Sequence, residues 1–236
     1  MGRAYIYVDG ENHYLRSVAA LAKLLGRPDA ANLLPKCKLF LGVPRAFPAS
    51  MDGERFGIEE SCSFFWDCEI IHYRGGLGDE TAVIERAIYV TACSGDEDKV
   101  HAARSLLRRH KFEPVVIPEM KAQAARRARK LADDAIIEKP KGCDIALATR
   151  MVSDAAAGLF DACALFTSDA DFLPAIEAVR RLGKVVWVYG FSDAIGGRSP
   201  FQYVPDRFVD LAVLWGHMAG NHRGKIREVF GPPVVS

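Results

Sequence analysis

The chain has 236 residues, of which 50% are hydrophobic and 26% are charged, as is typical of a globular protein with a sizeable core. Its formal net charge of +1 excludes a uniformly basic protein, so a nucleic-acid site would need a local basic patch. The six cysteines show no CxxC pair and no spacing typical of zinc, which predicts buried thiols. We expect a cytoplasmic protein without a signal peptide or membrane partner, because no apolar run approaches the ~20 residues that span a bilayer.

In chain order, five nearly continuous apolar runs predict β-strands, and amphipathic segments between them predict helices. The strands are expected at 4–8, 87–92, 114–117, 162–167 and 185–189, and the helices at 11–25, 96–111, 144–159 and 171–183. Strands without polar alternation are typically covered on both faces, as in a parallel sheet. The alternation of strands and helices therefore predicts an α/β fold with helices on both sides of a mainly parallel central sheet.

Two segments do not follow this alternation. Residues 26–80 are rich in Pro, Gly, aromatic residues and Cys, with no clear period, and we interpret them as an insertion. The insertion is expected to be a substrate lid, a surface for a protein partner or a second copy of the chain, or a decoration without function. Residues 190–207 are expected to form a long loop, and long loops in compact α/β domains are often functional.

Acidic residues occur where predicted strands end. Asp9 directly follows the first strand, Asp169 and Asp171 follow the fourth, and Asp144 opens a helix. Ligands of open α/β sheets bind outside the carboxyl ends of the strands, so these acids converge if the first and fourth strands are neighbours. A hard divalent cation would relieve their mutual repulsion, and Mg²⁺ or Mn²⁺ suits an all-oxygen set better than Zn²⁺. Such an ion is typical of phosphoryl chemistry.

Three of the four acids also have a simpler interpretation when each is taken alone. Asp144 and Asp171 precede helical segments and could be helix N-caps, which accept hydrogen bonds from backbone N–H groups. Asp9, in the sequence Asp-Gly-Glu-Asn, could belong to a turn. The combination at the ends of two strands and one helix favours a shared site.

Four segments together resemble the NYN domain, a branch of the PIN-like nucleases that includes the LabA-like proteins. They are YIYVDGEN (5–12), KGCDIALATRMVSDA (141–155), LFTSDADFLPAIEAVRRLGKVVWVYG (165–190) and DRFVDL (206–211). The resemblance implies a Rossmann-like, PIN-type three-layer fold. It also implies one domain over 1–215, with the insertion around 26–80 and a C-terminal extension at 216–236.

The resemblance further implies a metal-dependent ribonuclease that hydrolyses RNA phosphodiester bonds. Its motifs assign catalytic roles to five residues, namely Asp9, Asn12, Asp144, Asp169 and Asp171. The four acids would hold one or two Mg²⁺ or Mn²⁺ ions, and Asn12 would orient a water or a phosphate oxygen. The hydroxyls of Thr167 and Ser168 are expected to donate hydrogen bonds to the phosphate.

An RNA substrate also requires positive charge near the acids. The basic segment 120–134 contains Arg126 and Arg127, and Lys141 lies close to Asp144 in sequence. We predict phosphate contacts for these side chains, with a solvated helix face as the alternative for the basic segment. Arg150 stands where the resembling family often has an acid, and it is expected to alter the metal geometry or approach the substrate.

Other functions remain alternatives. A haloacid-dehalogenase-type phosphatase would have Asp-x-Asp after the first strand, where this chain has Glu11 at the second position. A Toprim domain would use Asp169 and Asp171 with a Glu after the first strand, where Asp9 stands instead. A dinucleotide-binding domain would have G-x-G-x-x-G after the first strand, and this chain does not have that motif there. A PIN-like module that binds RNA or a protein without cutting is the non-enzymatic alternative.

Overall fold

The computed structural model describes residues 2–25, 82–94, 96–109, 112–119, 142–197 and 199–213. The predicted insertion, the basic segment with Arg126 and Arg127, Lys141 and the C-terminal extension lie outside these residues. The division of the chain into 1–215 and 216–236 therefore stays a prediction.

The described residues form six strands, five helices, two 3₁₀ turns and a further helical segment at 211–213. The strands are β1 (Gly2–Asp9), β2 (Ala82–Ser94), β3 (Glu113–Glu119), β4 (Ala162–Phe166), β5 (Val185–Gly190) and β6 (Arg207–Asp210). The helices are α1 (Gly10–Leu25), α2 (Glu97–Arg109), α3 (Cys143–Ala156), α4 (Leu173–Arg181) and α5 (Ser192–Ile195). The 3₁₀ turns are Ala170–Phe172 and Pro200–Gln202.

All six strands run parallel in one sheet with the order β3-β2-β1-β4-β5-β6. The predicted α/β class and parallel sheet are thus confirmed, and β1 and β4 are neighbours, with Val8 beside Phe166. From β1 the sheet extends through β2 and β3 on one side and through β4, β5 and β6 on the other, so the direction of strand addition reverses between β1 and β4. Ligands of open parallel sheets bind at such a point.

Alternate residues of the strands face opposite layers of helices. Tyr5, Tyr7 and Leu165 pack in one core with residues of α3 and α4. On the opposite face, His13 of α1 packs against Phe166, with ring centroids 5.6 Å apart. Strands covered on both faces explain the continuous apolar runs of the sequence.

Strand β6 and the two short elements before it were not predicted. β6 has four residues and lies at the edge of the sheet beside β5, so it carries a weak apolar signal. Helix α5 and the turn Pro200–Gln202 lie inside the segment that we predicted as a long loop. Within the part of the chain that is described, no helix is long and apolar enough to cross a bilayer.

Candidate active site

A cleft of about 540 Å³ lies at the carboxyl edge of the sheet, where β1 and β4 end. Three of the four predicted acids line it, together with the predicted amide and serine, namely Asp144, Asp169, Asp171, Asn12 and Ser168. They come from the start of α1, the start of α3 and the segment that follows β4. The structure therefore brings together residues that are up to 159 positions apart in the sequence.

Asp9 lies among these elements but is buried, with 2% of its surface exposed. Its Oδ2 accepts a hydrogen bond of 3.0 Å from the Thr167 hydroxyl, and its Oδ1 accepts one of 3.3 Å from the backbone N–H of Asn12. Successive strand residues point to opposite faces, so Asp9 points to the same face as Tyr7, the face covered by α3. Asp9 is thus buried outside the lining of the cleft and is bonded to Asn12, which lines it, and to Thr167, which does not.

Thr167 connects two of the predicted acids. Besides donating to Asp9, its hydroxyl oxygen accepts a hydrogen bond of 3.1 Å from the Asp169 amide. The side chain is 1% exposed, and its single proton is directed at Asp9. In the structure this hydroxyl joins Asp9 to the backbone of Asp169, and its expected hydrogen bond to a phosphate stays a prediction.

Ser168 and Asn12 join α1 to the end of β4. The Ser168 amide donates to Asn12 Oδ1 over 3.0 Å, and the Ser168 hydroxyl accepts from the Phe191 amide over 2.9 Å. Both side chains line the cleft, although each is largely buried. His13, which follows Asn12 in α1, packs against Phe166 and Phe191 and does not line the cleft.

Two glycines permit the close packing of these segments. A Cβ on Gly10 would lie 2.6 Å from the carbonyl oxygen of Val90 and 2.2 Å from the Tyr89 ring. A Cβ on Gly190 would lie 2.5 Å from the carbonyl oxygen of Thr167. All three distances are too short for a Cβ, so glycine is required where α1 meets β2 and where β5 meets the end of β4.

The structure decides against the helix-cap interpretation of Asp144 and Asp171. Helix α3 begins after Gly142 and has no side-chain cap, so Asp144 lies in the first turn without capping it. The cap of the 3₁₀ turn is Asp169, whose Oδ1 accepts a hydrogen bond of 3.0 Å from the Asp171 amide. Asp171 itself is exposed to the cleft. The positive end of α3 lies beside Asp144 and favours negative charge there.

The donor set suits a hard cation in an open site. Within the described ranges, no group of three or more His, Cys, Asp or Glu side chains is arranged to hold a metal ion. Mg²⁺ is usually held by one or two carboxylates together with waters and substrate phosphates, so it needs no such group. The carboxylates of Asp144, Asp169 and Asp171, which line one cleft, fit this open type of site in their chemistry.

Arg150 does not reach the cleft. Its guanidinium lies 2.8 Å from Asp154 Oδ2 and 2.8 Å from Glu113 Oε1, at the start of β3. Helix α3 begins at the carboxyl edge of the sheet, so Arg150, two turns after Asp144, lies toward the opposite edge. The structure gives Arg150 an ion-pair role away from the cleft, and its expected effect on the metal geometry or the substrate stays a prediction.

Several cleft residues were not named from the sequence. Arg16 and Leu15 belong to α1, and Arg16 is four positions after Asn12, a spacing that places both on one helix face. Spacing from Asn12 could have identified Arg16. The cleft is also lined by residues from the predicted loop 190–207, namely Ala194, Ile195, Ser199 and Phe201. Only the expectation that this loop is functional pointed to them.

Comparisons with known proteins agree with the motifs. A family model of the NYN domain matches residues 3–212. The crystal structure of a protein of unknown function from Vibrio parahaemolyticus is similar over 89% of this chain and 93% of its own, with 16% identity. Its TM-score is 0.41, a value that supports no conclusion about function. No curated protein matches the chain.

The family match spans the strands, the helices and every acid that lines the cleft. The chain therefore belongs to the NYN domain family, a family of PIN-like, generally ribonuclease-like domains.

Proposed function

We propose that this protein is a Mg²⁺- or Mn²⁺-dependent ribonuclease that hydrolyses phosphodiester bonds of RNA in the cleft at the carboxyl edge of the sheet. The observation that carries the proposal is the convergence of Asp144, Asp169 and Asp171, from α3 and the segment after β4, on one cleft. The NYN family match supports a nuclease rather than a phosphatase or a dinucleotide-binding protein.

Asp144, Asp169 and Asp171 would hold the divalent ion, and Asp9 behind them would add negative charge to the site. When bound, the ion supplies a water of lowered pKa and screens the charge of the scissile phosphate. Asn12 lines the cleft and holds the Ser168 backbone amide with its Oδ1. Thr167 keeps Asp9 and the Asp169 backbone in register, so the acids keep their positions when substrate enters.

The test is cleavage of end-labelled single-stranded RNA by the purified protein in Mn²⁺, in Mg²⁺ and in EDTA, beside the variant Asp169→Asn. Asparagine is as good an N-cap as aspartate, so the 3₁₀ turn is expected to keep its cap while the site loses a carboxylate. We expect metal-dependent cleavage by the parent protein and a loss of at least about a hundredfold in the variant.

Asp98→Asn is the matched control, because Asp98 is an exposed acid in the first turn of α2 and does not line the cleft. This variant is expected to cut RNA like the parent protein. Cleavage that survives Asp169→Asn would reject the proposed site. Cleavage that is unchanged in EDTA would reject the metal.

A second candidate is an RNA-binding module that does not cut. The burial of Asp9 favours it, because this carboxylate already accepts hydrogen bonds from Thr167 and Asn12 and does not line the cleft with the other acids. RNA binding by the parent protein in EDTA, with no cleavage in either metal ion across several RNA sequences, would establish this function in place of the nuclease.

A further inference from the structure

A second cavity opens beside the candidate active site, on the other side of Arg16. It has a volume of about 570 Å³ and is lined mainly by small or apolar residues of α1, of α5 with the residue before it, and of the segment after β6, namely Ala19, Ala20, Phe191, Ala194 and Ala212. Arg16, Lys23 and Asp193 supply its charged groups. We call this cavity the α1 groove.

The α1 groove is continuous with the cleft that holds the acids. Arg16 and Ala194 line both cavities, so these two residues form the boundary between them. Along α1, Arg16 is four residues and about 6 Å from Asn12, and Lys23 lies about 11 Å further. A chain that leaves the acidic cleft past Arg16 would therefore enter the α1 groove and run toward Lys23.

Arg16 is placed to bind an anion at this boundary. It is half-buried, and no ion pair or side-chain hydrogen bond joins its guanidinium to any other residue in the part of the chain that the structure describes. An arginine has five N–H donors in a planar fork that matches a phosphate. Its position beside three carboxylates, without pairing to them, leaves this fork to a ligand of the cleft.

The apolar lining of the α1 groove favours an unpaired nucleotide rather than a duplex. In a duplex the bases are stacked inside and only the backbone and the groove edges are accessible. In a single strand each base has an apolar face that packs on aromatic or apolar side chains. At the far end, Lys23 forms an exposed ion pair of 2.7 Å with Asp193, and such exposed pairs contribute little stability. A phosphate could therefore replace Asp193 as the partner of Lys23.

From this continuity and charge we infer that the α1 groove is a binding subsite for single-stranded RNA next to the cleavage site. Arg16 would contact the phosphate that follows or precedes the scissile one, and the groove would hold a neighbouring unpaired nucleotide. The inference rests on the proposed function in taking RNA as the ligand of the cleft.

The test measures binding separately from cleavage. All variants are made in the Asp169→Asn full-length protein, so that the probe, a fluorescein-labelled single-stranded oligouridine RNA, stays intact. Fluorescence anisotropy gives the Kd at one fixed Mg²⁺ concentration and at a series of KCl concentrations. A protein that neutralises phosphates shows a linear fall of log affinity with log salt, with a slope of about 0.7 for each phosphate on a single strand.

Arg16→Gln is expected to raise the Kd about tenfold at low salt and to reduce the salt slope by about 0.7. Arg16→Lys, which keeps the charge, is expected to keep the salt slope of the parent protein. Arg108→Gln is the control for loss of an exposed arginine on a helix that lines neither cavity, and it is expected to change neither quantity. An Arg16→Gln variant with the same Kd and salt slope as the Asp169→Asn protein in which it was made would overturn the inference.

Ala19→Glu tests the groove itself, because Ala19 is exposed on α1 and lines it. The added carboxylate is expected to weaken single-strand binding several-fold, while Ala102→Glu, at an exposed position of α2, is expected to have no effect. Equal binding by these two variants would overturn the subsite. A double-stranded RNA that binds as tightly as the single strand would overturn the preference for unpaired nucleotides.

These outcomes separate the subsite from the nuclease. Cleavage by the wild-type protein with no effect of Arg16→Gln or Ala19→Glu on binding would leave the proposed function and reject the subsite. Binding that depends on both residues, in a wild-type protein that cuts no RNA, would leave the subsite and reject the nuclease.

Discussion

At the scale of single residues, the Thr167 hydroxyl links two of the acids of the candidate site. It donates to one predicted acid and accepts from the backbone of another, over distances of 3.0 and 3.1 Å. Because Asp9 is 2% exposed, water cannot readily take the place of this donor. A buried carboxylate that loses a donor carries the full cost of its desolvation.

Thr167→Val is therefore expected to lower the free energy of unfolding by about 1–3 kcal/mol, since valine keeps the shape and removes the hydroxyl. Urea denaturation at neutral pH measures the change. Thr149→Val is the matched control, because Thr149 is exposed on α3, and it is expected to change stability by less than about 0.5 kcal/mol. Equal stabilities of the two variants would contradict the role given to Thr167.

At the scale of elements, a polar network fixes helix α3 against the sheet. Asp154, near the end of α3, accepts a hydrogen bond of 2.9 Å from the Tyr7 hydroxyl of β1. It also forms an ion pair with Arg150. Arg150 also pairs with Glu113 of β3. These contacts hold α3 to two strands, and the other end of the same helix carries Asp144 into the cleft.

Arg150→Met is expected to destabilise the protein by about 1–3 kcal/mol, because it leaves the Asp154 carboxylate, 8% exposed as a side chain, with one fewer charged partner. The figure is below that of a fully buried pair because 29% of the Arg150 side chain is exposed to solvent. Urea denaturation measures the loss.

Arg181→Met is the matched control for this network. Arg181 also pairs with an acid on its own helix, four residues from Glu177, but its side chain is 76% exposed. The expected change is below about 1 kcal/mol. RNA cleavage by folded Arg150→Met protein is expected to equal that of the parent. A loss of cleavage without a loss of stability would show that Arg150 acts on the substrate and not only in its ion pairs.

At the scale of the whole molecule, the described strands bury several ionisable side chains, and among these the pKa values of Tyr7, Tyr189 and Cys163 are raised. Burial and the neighbouring Asp154 raise the pKa of Tyr7, burial raises the pKa of Tyr189, and burial with the charge of Asp206 raises the pKa of Cys163. Each group ionises only at a higher pH in the folded protein than in the unfolded chain, where thiols and phenols have ordinary pKa values of 9.0 and 10.0.

Stability is therefore expected to fall in alkaline solution. The stabilisation from the three groups is fully present below about pH 9, and above pH 9–10 the unfolded chain releases protons that the folded protein retains. Each group then lowers the free energy of unfolding by up to about 1.4 kcal/mol per pH unit. Urea denaturation between neutral pH and pH 11 measures this slope.

Tyr7→Phe is expected to reduce the slope above pH 10, because it removes one of the three groups. It also lowers stability at neutral pH, since Asp154 loses the Tyr7 hydroxyl. Tyr203→Phe, at a residue that is 72% exposed, is expected to leave the slope unchanged. Equal slopes in the parent and the Tyr7→Phe protein would show that the Tyr7 phenol does not contribute to the alkaline loss.

Much of the fold could be predicted because its strands are buried on both faces. All five predicted strands are present, and β1 and β4 are neighbours as the placement of the acids required. The edge strand β6 was missed because four residues with charges at both ends carry no apolar run. The short elements between β5 and β6 were missed for a similar reason, since their hydrogen bonds are local and their apolar residues are few.

The sequence by itself determined the family, the α/β class, and the identity of the acids that line the cleft, because these depend on local runs of apolar residues and on motifs that are contiguous in the chain. Only the tertiary structure decided which polar residues reach the cleft. It placed Thr167 behind the acids and Arg150 in an ion pair with β3, and it brought Arg16 to the boundary of two cavities. Burial and pairing depend on which elements pack together, and residues more than a hundred positions apart supply those contacts.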